Sequence, residues 1–326
     1  MRRLQVKHES WPLRGAFRIS RGAKQSSEVV TVILTEGEAC GRGEGTPYAR
    51  YGESPQSVRA QIEAARPAIE SGIDREALLA LMEPGSARNA VDCALWDLEA
   101  KLAGCRAWEL AGLPPPTGLE TAFSLSLDAP ERMAEAAREK SDWPVLKLKL
   151  AGDGDIERVA AVRAAAPAAR LIVDANEGWS EAMFVPLSTA LAELGVALIE
   201  QPLPAAADGL LAEIEHPVPV CADEACHIAE DVAGLVQRYD LVNVKLDKTG
   251  GLTAALSLVA AAKQAGLGVM VGCMVSSSLS MAPAMLVAGE AEFVDLDGPL
   301  LLAQDRASPI RIERGRMQPP DPALWG

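Results

Sequence analysis

The sequence is poor in the residues that build most metal and redox centres. Only three histidines occur in 326 residues, His8, His216 and His227, which excludes a zinc site assembled from several imidazoles. The six cysteines (Cys40, Cys93, Cys105, Cys221, Cys226 and Cys273) are scattered, with no CxxC pair. They read as small buried hydrophobes of a reducing cytosol, not as a disulfide framework. No run approaches the roughly 18 apolar residues of a membrane span. The start, Met1-Arg2-Arg3-Leu4-Gln5-Val6, has two arginines but no apolar stretch behind them, so no signal peptide is expected and the expected location is the cytoplasm. Cations are in deficit as well: 31 Lys and Arg against 45 Asp and Glu give a net charge of −14, with no basic run. A nucleic-acid surface needs clustered cations, so that class of partner is excluded, and the acidity reads as a self-repelling surface. A homo-oligomer is left open. Any metal must be held by carboxylates.

What is present is a large apolar fraction, 49% of the chain, enough for two domains or one elaborated barrel. From about residue 114 apolar strand-like runs alternate with amphipathic stretches, the pattern of βα units. The runs are Thr121–Leu127, Val145–Leu150, Arg170–Asn176, Val196–Gln201, Val218–Glu224, Leu241–Asp247, Gly268–Met274 and Phe293–Asp297. Seven helical patterns are expected between them, among them Ala129–Glu139, Asp155–Ala166, Glu181–Leu194, Ile228–Arg238 and Leu252–Gln264. The expected fold is α/β, a (β/α)-type TIM-like barrel over 114–302, preceded by an α+β domain over 1–113. An open doubly wound sheet is the alternative, and no GxGxxG turn supports it. In the first domain, strands are expected at Arg3–Pro12, Val29–Leu34 and Gly41–Thr46, and helices at Pro55–Ser71, Arg75–Met82 and Ala87–Leu102. Pro114-Pro115-Pro116 marks a stiff junction, and the tail, 303–326, is expected to pack back on the first domain.

Charged residues recur at the ends of the barrel runs. Lys149, Asp174, Glu200, Asp223 and Lys245 follow one another at steps of 25, 26, 23 and 22 residues by subtraction, about one βα unit each, and Asp297 ends the last run. Successive units bring successive strand ends side by side on the barrel rim, where barrel active sites lie. A single acid after a strand is ordinarily a helix N-cap or a solvated loop residue. Three acids on three consecutive strands between two lysine-bearing strands repel one another when buried. A divalent cation removes that penalty, and a hard, oxygen-only donor set suits Mg²⁺. In Lys147-Leu148-Lys149 both lysines share one strand face while the leucines face outward. A parallel barrel strand has no solvated face, so the lysines point into the barrel. Paired lysines are expected to depress each other's pKa, making a neutral amine available as a base. Lys245 stands four strands on, halfway around an eight-stranded barrel, and so faces Lys149. Two bases on opposite faces of one carbon are what a 1,1-proton transfer requires.

Lys147-x-Lys149, Asp174-Ala175-Asn176-Glu177-Gly178-Trp179, Ile199-Glu200-Gln201-Pro202, Ala222-Asp223-Glu224 and Asn243-Val244-Lys245-Leu246-Asp247-Lys248-Thr249-Gly250-Gly251 together resemble the enolase superfamily, muconate-lactonising subgroup. The resemblance covers essentially the whole chain. It implies an N-terminal capping domain over a (β/α)₇β barrel, with Asp174, Glu200 and Asp223 as Mg²⁺ ligands and Lys149 and Lys245 as the acid/base pair. Lys147 would sit beside a substrate carboxylate. Asp295-Leu296-Asp297-Gly298 is similar to the Asp-x-Asp element of dipeptide epimerases, which captures a free α-ammonium; an N-acylated substrate would offer those acids no cation. Ile19–Lys24 and Thr46–Ser54 resemble capping-domain loops of bacterial L-Ala-D/L-Glu epimerases, where the resemblance puts an arginine at Lys24 to hold an acidic side chain. Lysine keeps the charge without the bidentate fork. Ser124 falls where the family has a substrate-contacting hydroxyl. The implied activity is Mg²⁺-dependent epimerisation at the second residue of a dipeptide such as L-Ala-L-Glu, in peptidoglycan peptide recycling. The rivals are an N-acylamino-acid racemase, an o-succinylbenzoate synthase and a non-catalytic barrel acting as a binding module.

Overall fold

The computed structural model describes residues 1–326. An antiparallel sheet of β1 (Arg3–Ile19), β2 (Gly22–Glu36) and β3 (Ala39–Gly45) opens the chain, in that spatial order. Its first two strands run well past the expected Arg3–Pro12 and Val29–Leu34, as one long hairpin turning at Ser20-Arg21. Arg14-Gly15-Ala16 breaks the alternation that would have announced the extension, and the pairing register shifts there, between Pro12 and Phe17. The hairpin tip is what carries residues 17–24 over the barrel.

Helices α1 (Pro55–Glu70), α2 (Arg75–Leu81) and α3 (Ser86–Ala103) follow. Ser54 caps α1 in a reciprocal capping box with Ser57, with Pro55 at the first helical position, a standard start signal. Its buried stripe of Val58, Ile62, Ala65 and Ile69 keeps helical spacing. Nearly all of α3 is buried, because it lies directly on the backbone of β3. A Cβ at Gly41, Gly43 or Gly45 would fall within 2.3 Å of an α3 backbone atom. Glycine at alternate positions is what permits that approach.

The barrel strands are β4 (Phe123–Leu125), β5 (Val145–Lys149), β6 (Arg170–Asp174), β7 (Val196–Glu200), β8 (Val220–Ala222), β9 (Leu241–Val244), β10 (Gly268–Gly272) and β11 (Phe293–Asp295). Each pairs in parallel with the next. The seam between last and first strand is stitched by Ala122 N donating to Val294 O at 2.8 Å, and by Leu296 N donating to Thr121 Oγ1 at 2.8 Å. Leu146, Leu148 and Leu150 join the apolar layer under the helices, while Ile172, Leu198, Leu241, Met270 and Phe293 fill the barrel floor. Helices α4 (Pro130–Glu139), α5 (Asp155–Ala165), α6 (Glu181–Glu193), α7 (Leu252–Gln264) and α8 (Ser278–Ala288) cover it.

The expected seven helices are not all there. Between β7 and β8 only a 3₁₀ turn forms, Gly209–Ala212. Pro202, Pro204, Pro217 and Pro219 remove donors from both flanks of that stretch. Ile228–Arg238 breaks into a 3₁₀ turn, Ala229–Asp231, and one α-helical turn, Val232–Leu235, around Gly234. Along the tail, Ala303 N donates to Pro12 O at 2.8 Å, and Trp325 Nε1 donates to Cys93 O at 3.0 Å. Between them, the two-residue strand Arg316–Met317 pairs on one side with Leu119–Glu120, beside β4, and on the other with Ile312–Glu313.

Candidate active site

At the carboxyl ends of the strands lies a cavity of about 480 Å³. Its floor includes Lys149, Asn176, Asp223, Glu224, Lys245 and Cys273 from the barrel, and its roof Phe17, Ile19, Arg21, Lys24 and Tyr48–Tyr51 from the first domain. Lys149 and Lys245 therefore reach one space from the second and sixth strands of eight. Lys147, Asp174, Glu200, Asp295 and Asp297 are buried and do not line it.

These side chains form one network. Lys149 Nζ lies 2.5 Å from Asp174 Oδ2, and Lys245 Nζ lies 2.6 Å from Asp223 Oδ2 and 3.8 Å from Glu200 Oε1. Lys147 Nζ is shared by Glu200 and Asp295, both at 2.6 Å, and Asp174 at 3.3 Å. Ser124 Oγ donates to Asp295 Oδ1 at 3.4 Å, while Ser124 N donates to Asp297 Oδ2 at 2.6 Å. Asp297 thus helps bind the barrel seam.

The charges correct one expectation. Burial works to lower the pKa of Lys147, but Asp295, Glu200 and Asp174 outweigh it and hold the amine well above its ordinary range. Lys245 is raised likewise, burial being overcome by Asp223 and Glu200. At Lys147 and Lys245 the nearby carboxylates outweigh the depression expected from a neighbouring ammonium. Asp174, despite burial, is drawn down to about 2 by Lys149 and Lys147, and Asp223 is held well below the carboxylate range by Lys245 and Lys248 against the same burial. Glu200 goes the other way, because burial and then Asp174 outweigh its lysines. We read Lys147–Glu200 as an ion pair all the same, since three carboxylates share that ammonium. Burial and then Asp295 push Asp297 up to about 7.

The residues fit a hard dication. Their donors are oxygens alone, and Asn176 Oδ1 and Glu224 Oε2 are buried oxygens with no hydrogen-bond donor. No three acids converge on one point in the present arrangement, because lysine ammoniums stand between them.

A model of the mandelate racemase/muconate lactonizing enzyme N-terminal domain matches residues 1–112, and one described as enolase C-terminal domain-like matches 130–323. The chain belongs to the mandelate racemase/muconate lactonizing enzyme family of the enolase superfamily. Within that family it is 43% identical over 319 residues to an L-Ala-D/L-Glu epimerase of Escherichia coli, covering 97% of this chain and 99% of that one. It is also 43% identical over 300 residues to an N-acetyl-D-glutamate racemase of Pseudoalteromonas, covering 91% and 95%. Among solved structures, an enolase family member from Agrobacterium tumefaciens with homology to dipeptide epimerases, holding sodium and L-Ala-L-Glu, superposes with a TM-score of 0.98 at 50% identity over the full length of both chains. A dipeptide epimerase from Cytophaga hutchinsonii, complexed with Mg and D-Ala-L-Val, matches at 0.91 and 27% identity over 98% and 93%.

Several groups of this family member's site carried no role in the sequence reading. Arg21 donates to Glu224 at 2.6 Å, to Tyr48 OH at 2.9 Å and to Asn176 O at 2.7 Å. Arg50 grips Glu177 with two bonds of 3.0 Å. Gln201 Oε1 accepts from Asp223 N at 2.9 Å and Ala225 N at 3.0 Å. Asn176, Glu177 and Gln201 all have positive φ (46°, 64° and 35°), strain of the kind that gathers at functional sites. Burial, then Asp223 and Asp174, raise Glu224 to about 7. Glu224 adjoins Asp223 in sequence, so the acidic pair was a visible signal; its partner 203 residues away was not. Lys24 stands apart from the network, its Nζ 5.1 Å from the Tyr48 ring centroid.

Proposed function

We propose that the chain is a Mg²⁺-dependent dipeptide epimerase, inverting the α-carbon of the second residue of dipeptides such as L-Ala-L-Glu and so serving cell-wall peptide recycling. The observation that carries this is the pair of lysines, Lys149 and Lys245, reaching one cavity from strands halfway around the barrel from each other. In the forward direction one lysine, neutral, takes the α-proton from one face, and the other, as an ammonium, returns a proton to the opposite face; the reverse direction exchanges their roles. Asp174, Glu200 and Asp223 would hold Mg²⁺, which when bound supplies positive charge against the negative charge that grows on the substrate carboxylate as the proton leaves. Lys147 adds a fixed charge beside that carboxylate. Asp295 and Asp297 are assigned the substrate ammonium, with Ser124 supporting both.

Lys24 supports an acidic second residue. Of the three roof cations, Arg21 and Arg50 are spent on Glu224 and Glu177, which leaves Lys24 without a carboxylate partner at the cavity. Both relatives of 43% identity are named for glutamate compounds, in keeping with that role.

The two names differ at the amine, and a second reading follows. Asp295 is engaged by Lys147 and Asp297 by Ser124 N, and neither lines the cavity; that favours an N-acylglutamate racemase, which needs no ammonium subsite. Epimerisation of L-Ala-L-Glu and of N-acetyl-L-glutamate, followed side by side in D₂O, decides between them. A kcat/KM at least tenfold higher on the dipeptide supports the first reading, and a preference for the N-acetyl compound overturns it. No exchange on either compound overturns both.

A further inference from the structure

Lys248, like Lys147, is a fully buried lysine at the site that does not line the cavity shared by Lys149 and Lys245. It lies one turn beyond Lys245, on the short helix Leu246–Thr249. All three of its ammonium donors are used: on Asp223 O at 2.5 Å, on Asp223 Oδ1 at 2.7 Å and on Asn243 O at 2.9 Å. It therefore has no proton to offer a substrate. Asp223 in turn is divided between two cations, with Oδ1 on Lys248 and Oδ2 on Lys245 at 2.6 Å.

From this we infer that Lys248 is a positioning residue for one face of the reaction. By clamping both the backbone and Oδ1 of Asp223, it fixes the carboxylate plane so that Oδ2 alone meets Lys245. A buried ion pair with saturated hydrogen bonds has one geometry, whereas a carboxylate that loses its donors rotates to find others. Without Lys248, both oxygens of Asp223 compete for the Lys245 ammonium, and Lys245 is drawn off its station. Lys149 is insulated from that event, because its partner is Asp174 at 2.5 Å and Lys248 makes no contact there. The effect is therefore asymmetric between the two bases.

The inference rests on the proposed two-base reading, and its test separates the two. Loss of α-hydrogen to deuterium is followed by NMR for each epimer of Ala-Glu, at saturating Mg²⁺. Lys149→Ala and Lys245→Ala first show which epimer is served by which lysine. Lys248→Met, which keeps the length and removes the donors, should then slow exchange through Lys245 at least tenfold more than exchange through Lys149, with a melting temperature close to wild type. If it melts below the assay temperature, Lys248→Gln, which keeps two donors, takes its place with the same expectation. Equal slowing through both lysines overturns the positioning role, and so does failure of both variants to fold, which would make Lys248 structural. A wild-type protein that exchanges neither epimer removes the proposed function and this inference with it. A wild type that exchanges both, with the variant slowing both alike, removes this inference alone.

Discussion

Gly272 ends β10 against the stem of Lys245, and replacing it by alanine perturbs this proposed base without removing any functional group. A Cβ there would lie 2.7 Å from Asn243 Oδ1, 2.9 Å from Asn243 Nδ2 and 3.0 Å from Lys245 Cε. Non-bonded carbons settle at about 3.5–4.0 Å, so the lysine stem has to give by roughly 0.5–1 Å. The backbone is no obstacle, since Gly272 is not among the positive-φ glycines. The strain falls on Lys245 and on the Asn243 amide, which donates to Glu200 Oε1 at 2.8 Å. Misplacing a reacting group by ~1 Å costs on the order of 100-fold in rate, or about 2.7 kcal/mol of barrier. The stability cost of such overpacking is about 1–3 kcal/mol, within what a domain of this size tolerates. Gly272→Ala should therefore lower kcat for Ala-Glu epimerisation about 100-fold with KM within threefold, while the epimer served by Lys149 keeps most of its α-proton exchange. Polarimetry gives the first pair of numbers, NMR in D₂O the last and a urea melt the stability. A kcat within threefold of wild type refutes the claim that glycine stands here to make room for the base.

Asp174→Asn, Glu200→Gln and Asp223→Asn should each reduce turnover to near background, and chelation should do so reversibly; full activity in excess EDTA contradicts the metal assignment. Lys24→Ala should cost about 1.5–3 kcal/mol, the worth of a hydrogen bond to a charged group, in kcat/KM on Ala-Glu. A neutral dipeptide should feel little, and equal losses on both would take Lys24 out of the recognition. Glu177→Gln cuts the charge pairing of Arg50 and Arg21 with the barrel and should raise KM several-fold on every substrate alike, in a steady-state comparison of Ala-Glu with a neutral dipeptide. Asp92 lies wholly buried beneath Thr253 N and Oγ1, and burial outweighs those bonds to lift it from 3.8 to about 6. A raised folded-state value favours the fold below pH 4 and is lost as pH rises through 6, so Asp92→Asn should gain about 2 kcal/mol on wild type between pH 4.5 and 7.5. Urea melts at the two pH values check this, and a constant difference contradicts it.

The barrel and the order of its strands were legible because βα units repeat: one apolar run, one amphipathic run and one charged strand end per unit. Lys147-Leu148-Lys149 carried most information, since period-two alternation in a strand with two buried faces leaves lysines only one place to point. Reading failed where local signals compete. Prolines on both sides of residues 205–216 and Gly234 within Ile228–Arg238 are visible breakers, yet the expectation of a helix per unit overrode them. The long hairpin was missed because residues 14–26 are too polar to alternate, and they fold back only because the barrel rim is there to receive them. The direction of the lysine pKa shifts could not be read at all. It depends on whether Nζ lies nearer to a carboxylate or to another ammonium, a matter of a few ångströms that spacing along the chain does not encode.

The division of labour between the two domains has a consequence for specificity. The proposed bases and metal ligands stand on, or one residue past, strands whose backbones are hydrogen-bonded on both sides, with β6 paired to β5 and β7 through Asp174 itself. Moving any of them disturbs its neighbours, because one lysine serves three acids and one acid serves two lysines. The roof is built differently. Residues 17–24 sit at the tip of a hairpin and 48–51 in a short turn, held to the barrel by Arg21 and Arg50 through Glu224 and Glu177. Lys24 takes no part in that latch, so under the proposed reading changing it alters what the cavity recognises without loosening the roof or shifting a proposed base. The proposed function thus sets the chemistry in the coupled part of the molecule and the side-chain preference in the uncoupled part. A chain built this way can exchange one acidic substrate for another, or for a neutral one, while its proton-transfer groups stay where they are.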